Sequence, residues 1–182
     1  MVIAVMSYAT SSPADQPARQ GFVITHPNRD KPVVQGTRAV VILLLLISAL
    51  LVLIITVSGW NVLESAVPVQ IAYVAIYLTL AFYAGRWNRG VLPVSAALAV
   101  ILAIFALVAG PAWFDRNKAG FAAPDFLNAG LLGVLTFLII PVQLLLVAFA
   151  MRGFSQGWNV ELERRESGAG VELYPGAPAH PA

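Results

Sequence analysis

Four stretches of the chain, about 39–59, 66–85, 91–110 and 126–151, run without Asp, Glu, Lys, Arg or His, and the charged positions collect between and beyond them. A membrane-spanning helix needs about 20 predominantly apolar residues, and each stretch is long enough. The pattern predicts an all-α membrane protein, a four-transmembrane-helix up-down bundle with flexible cytoplasmic tails. Arg38 and Trp60 bound the first span, where VVILLLLISALLVLIITVSG is unbroken. Glu64 and Ser65 are placed to cap the second, with Pro68 in its first turn, where its missing N–H would lack a partner anyway. Pro93 sits likewise at the start of the third span, and the Gly110-Pro111 pair is expected to end it. Asp125 is the expected cap of the fourth, and Pro141 inside that span removes one helical hydrogen bond and predicts a kink, static or gating.

The flanks set orientation. Arg19, Arg29, Lys31 and Arg38 precede the first span, Arg86 and Arg89 join the second to the third, and Arg152, Arg164 and Arg165 follow the fourth. Only Arg116 and Lys118, offset by Asp115 and Asp125, lie on the other side. Basic residues stay in the cytoplasm, so both termini are expected there, in a bacterial inner membrane. Trp60, Trp87, Trp113 and Trp158 fall just beyond span ends and are expected as interfacial anchors. Met1–Met6 lacks the basic start and cleavage site of a signal peptide.

Residues 1–37 and 167–182 read as disordered tails, with 21–36 locally extended. Between the fourth span and the C-terminal tail, Phe154, Trp158 and Leu162 recur at fours and Glu161 precedes Arg165 by four, which predicts a juxtamembrane amphipathic helix over 152–166. The loop from Pro111 to Pro124 carries Trp113, Phe114 and Phe121 around its charges, as aromatics dipped into headgroups or as a partner surface. A Trp-Asn pair recurs at Trp60, Trp87 and Trp158, but the echoes do not match a two-plus-two repeat and read as coincidence.

Inside the spans, polarity is confined to uncharged groups. Lipid gives helices no hydrophobic reason to associate, so packing relies on small residues and interhelical hydrogen bonds. Ser95, Ala99, Ala103, Ala106 and Gly110 form a small-residue face on the third span, while Ala81/Gly85 and Ala129/Gly133 are further small pairs. Gln70, Tyr73 and Tyr77 share a face of the second span, and Thr136 and Gln143 share one of the fourth. Counted back from the inner ends Gly85 and Met151, Tyr77 and Gln143 lie at one depth, and Gln70 and Thr136 at another. This predicts a polar seam pairing Tyr77 with Gln143 and Gln70 with Thr136, or a pathway lined by the same residues.

Composition removes most other chemistry. At 59% hydrophobic and 11% charged, with no Cys among 182 residues, the chain offers no thiolate chemistry, and its net charge of +2 gives no basic patch for nucleic acid. His26 and His180 lie in the tails, so no intramembrane bis-histidine haem site can form in one chain. A small multidrug exporter needs a membrane carboxylate and a four-span thiol oxidase needs paired Cys; both are missing. Asp115 and Asp125 lie ten apart without a nearby His, which does not suit catalysis. The expectation is a non-catalytic accessory, assembly or scaffold subunit, with no cofactor or metal, contacting the lipid bilayer and a membrane-protein partner or a second copy. The alternative is an oligomeric transporter or channel for a neutral or lipid-like solute.

Overall fold

The computed structural model describes residues 22–25, 28–116, 118–158, 162–167 and 170–173. His26–Val160 make one compact unit, and Met1–Thr25 with Glu161–Ala182 make another. The first contains α1 (Pro32–Ser58), α2 (Trp60–Leu63), a 3-10 turn (Glu64–Ala66), α3 (Val67–Gly85), α4 (Val91–Asp115) and α5 (Ala129–Ser155). Four of these, α1, α3, α4 and α5, are long and apolar enough to cross a membrane. This unit is all-α, and its four long apolar helices make the chain a multi-pass membrane protein.

Each span departs from its expected bounds for a local reason. Helix α1 begins at Pro32, with extended Lys31 as N-cap and proline in the first turn, so of the expected extended segment Phe22–Thr25 is strand while residues 32–36 are helix. Ala66, not the expected Glu64 or Ser65, is the N-cap residue of α3; it is already helical (φ −80°, ψ −21°), without the extended geometry a side-chain cap needs. Helix α4 does not stop at Gly110-Pro111 but continues to Asp115. Pro111 forfeits one hydrogen bond, while the continued helix seats the Phe137 ring over Gly110 and buries Trp113. Helix α5 starts three residues later than expected, because Asn128, not Asp125, accepts a hydrogen bond from the Leu131 N–H at 2.8 Å. It runs unbroken through Pro141.

Helix α3 packs mainly on α1, and α4 mainly on α5, while α1 and α5 join the two pairs. Contact between α3 and α4 is sparse. Near the basic loops, Arg38 of α1 donates to the carbonyls of Ala84 and Gly85 at the end of α3, and Arg89 donates to Phe154 O at the end of α5. At the opposite end, Asn61 donates to Ala123 O and Arg116 to Val62 O.

The other unit is a three-stranded antiparallel sheet of β1 (Phe22–Thr25), β2 (Leu162–Ser167) and β3 (Gly170–Leu173). Phe22 pairs with Arg165 and Thr25 with Leu162, while Arg164 pairs with Leu173. The amphipathic helix expected over 152–166 is therefore absent: α5 ends at Ser155, Gly157 takes a left-handed φ of +59°, and Leu162–Ser167 is strand. Gly153 and Gly157 weaken a helix there, and pairing with β1 and β3 satisfies the backbone instead. The expectation of disorder fails at these strands as well; the remaining tail residues and Glu161 lie outside the described residues.

Trp87 ends α3 in a left-handed conformation, φ +61°. The Asn88 N–H donates to Tyr83 O at 3.1 Å and the Trp87 N–H to Ala84 O at 3.2 Å, a Schellman arrangement whose left-handed place glycine usually takes. A residue with a Cβ costs about 1–2 kcal/mol there. Its indole is held in return: the Arg38 guanidinium lies 4.3 Å from the ring centroid, Arg29 lies 5.7 Å away, and fully buried Trp158 meets it edge-on at 5.7 Å. Trp87→Ala loses the ring and keeps the strain, whereas Trp87→Gly loses only the ring. Unfolding in mixed micelles is expected to find the Ala variant less stable than the Gly variant by about 1 kcal/mol; the reverse order would refute a strained cap.

Candidate functional site

The polar residues of the spans collect on three helices. Tyr77 and Gln143 are fully buried, and the Tyr77 hydroxyl donates to Gln143 Oε1 at 3.0 Å. The Gln143 amide in turn donates to Ser48 Oγ at 2.8 Å, and the Ser48 hydroxyl donates to Leu44 O of its own helix at 2.7 Å. One glutamine thus ties α1, α3 and α5 together. Its side chain is uncharged, so the knot needs no counter-ion in lipid.

Gln70 and Thr136 are not bonded to each other. The Thr136 hydroxyl donates back to Leu132 O at 2.7 Å, and Gln70 meets Thr56 of α1 at 2.5 Å. The two do face one space. A cavity of about 360 Å³ is lined by Gln70 and Tyr73 of α3, Thr136 and Ile139 of α5, Val52 and Ile55 of α1, and the α4 run from Leu102 to Trp113. That volume falls within the usual range of about 300–1,000 Å³ for small-molecule sites. Its rim includes Val69, Phe105 and Val108, all at least half exposed, so it opens sideways between α3 and α4 towards lipid. The sparse contact between those helices leaves the opening. Tyr73 stands edge-on to Tyr77 and to Phe105, at 5.8 and 6.3 Å between centroids, placing the cavity beside the Tyr77–Gln143–Ser48 knot.

No family model, curated protein or solved structure matches the chain. What it does must therefore follow from the geometry of its spans.

The small-residue face of α4 is used within the chain. Ser95, Ala99, Ala106 and Gly110 are buried and Ala103 is half-buried. Gly110 and Gly133 form reciprocal notches: a Cβ on Gly110 would lie 2.7 Å from the Phe137 ring, and one on Gly133 would lie 2.7 Å from the Phe114 ring. The two rings stack at 6.1 Å. Gly85, by contrast, faces open space, where a Cβ would meet nothing within 4 Å. A second, apolar hollow of about 250 Å³ lies between α4 and α5, against Ala103, Ile104, Ile140 and Leu144.

The four tryptophans occupy unlike places. Trp60 is exposed, Trp87 is half-buried in its cation cluster, and Trp113 and Trp158 are buried in helix packing. The loop aromatics also differ: Phe114, though partly exposed, stacks on Phe137 at the end of α4, while Phe121 is exposed in the loop. Asp115 pairs with Lys118. Sequence reasoning misses Ser48 and Thr56, which complete both polar clusters. Their eight-residue spacing places them on one face of α1, a signal hidden by the uniform hydropathy around them.

Proposed function

We propose that this chain is a non-catalytic accessory protein of a bacterial inner membrane, with both termini cytoplasmic, that holds a lipid-like uncharged molecule in the cavity between α3 and α4. The cavity carries the reading: it is apolar, of ligand size, and rimmed by the exposed apolar side chains Val69, Phe105 and Val108 of two candidate spans. Its occupant is uncharged because none of the residues lining the cavity carries a charge that could compensate one. The basic residues flanking the spans support the orientation. The pairing of β1 with β2 supports only that the two tails share one side of the membrane.

Binding is favoured over conduction. A through-path past the cavity within one chain meets Tyr77, Gln143 and Ser48, all fully buried and bonded in series. The accessory role rests on the same site, whose ligand would be shared with a membrane-protein partner or a second copy.

The test is photolabelling of the full chain in nanodiscs with an apolar alkyl diazirine, mapped by mass spectrometry. Labelling concentrated on the α3 and α4 lining, competed by tridecane and reduced several-fold by Val69→Trp at the exposed rim, is the expected result. Label spread evenly over the lipid-facing sides of all four helices would overturn the reading.

A further inference from the structure

Two residues that line the cavity, Tyr73 and Gln70, carry hydrogen-bond donors without partners among the described residues, and they specify the ligand further than its apolar walls do. Tyr73 lines the cavity and is 9% exposed, and its hydroxyl makes no hydrogen bond among the described residues. A buried hydroxyl without a partner is costly in a protein interior, and in hydrocarbon no water can serve it.

Gln70 lies three residues earlier on the same face. Its amide has one polar neighbour among the described residues, the Thr56 hydroxyl, and that hydroxyl also lies 2.6 Å from Val52 O. A hydroxyl has one proton. If it goes to Gln70 Oε1, both N–H groups of the amide are free. If it goes to Val52 O, the amide turns to donate one N–H to Thr56 and keeps the other free. At least one Gln70 N–H is unpartnered in either arrangement. Thr136, the third polar group of the lining, already donates its proton to Leu132 O.

Two spare donors within one helical turn call for an acceptor. We propose that the ligand is a neutral lipid bearing a carbonyl oxygen, such as a ketone, ester or quinone carbonyl, which accepts from Tyr73 and Gln70 while its apolar remainder lies along α4 and emerges between Val69 and Val108. A bare hydrocarbon would leave both donors unpaired. An alcohol could also accept, its own proton going to the Tyr73 or Thr136 oxygen, but a carbonyl oxygen takes both spare donors and leaves no further proton to place. A carboxylate is disfavoured because no residue of the lining carries a countercharge.

This inference rests on the cavity reading above, and the two fail differently. The full chain in nanodiscs is labelled with the same alkyl diazirine, and labelling is competed with tridecane and with methyl undecyl ketone, which match in chain length. The ketone is expected to compete about five- to tenfold better, the gain of one or two neutral hydrogen bonds. In Tyr73→Phe the ketone-to-alkane ratio is expected to fall towards one, and Gln70→Leu, which does not depend on Tyr73, is expected to lower it independently. Equal competition in the unmodified chain overturns the carbonyl assignment and leaves the cavity reading standing. Failure of both compounds, with labelling not confined to the lining, overturns both.

Discussion

Gln143→Leu is expected to destabilise the protein by about 1–3 kcal/mol, the cost of losing two interhelical hydrogen bonds and leaving the Tyr77 hydroxyl buried without a partner. The size of the loss depends on which group is orphaned. Ser48 keeps its bond to Leu44 O and loses little, whereas Tyr77 has no other partner among the described residues. Tyr77→Phe in the Gln143→Leu background removes that orphan, so the double variant should be more stable than Gln143→Leu alone, because replacing both partners with apolar groups is close to neutral. The cycle is read by unfolding in mixed micelles. If Gln143→Leu unfolds at the same denaturing-detergent fraction as the parent, the knot does not hold α1, α3 and α5 together.

The second large effect is expected at Gly110. Valine there places its Cβ 2.7 Å from the Phe137 ring, and the ring cannot easily retreat because it stacks on Phe114, itself seated over Gly133. Overpacking of this kind costs about 1–3 kcal/mol, and here it falls on the closely packed α4–α5 pair. Phe137→Leu should relieve most of the loss in Gly110→Val while costing stability in the parent, a sign change that only direct contact explains. A Gly110→Val variant as stable as the parent would rule out the notch.

Much of this arrangement is legible in the sequence, and the limits have physical causes. Charge-free runs locate all four spans, because the length of a membrane helix is set by the bilayer, but miss the start of α1 by seven residues and the end of α4 by five. Depth counting places Tyr77 beside Gln143, since two helices in one membrane share a vertical scale. The same count places Gln70 and Thr136 level, and they do face one space, but whether two groups at one depth touch depends on the gap between their helices. That gap is set by how α1 and α5 pack. The ends of spans are less readable, because Gly110-Pro111 breaks a helix only when no tertiary contact favours continuing it. The amphipathic reading of 152–166 fails at pairing: the four-residue recurrence favours a helix, but strand β1, more than a hundred residues earlier, offers β2 a partner that local periodicity cannot register.

The hydrogen-bond knot also bears on the order in which the chain can be made. Ser48 and Tyr77 belong to the first two spans, while Gln143 belongs to the last. During synthesis the first hairpin enters the bilayer with a tyrosine hydroxyl whose partner has not yet left the ribosome. Until the fourth span arrives, that hydroxyl lacks the partner it has in the finished fold, so the knot cannot close before the last helix is in place.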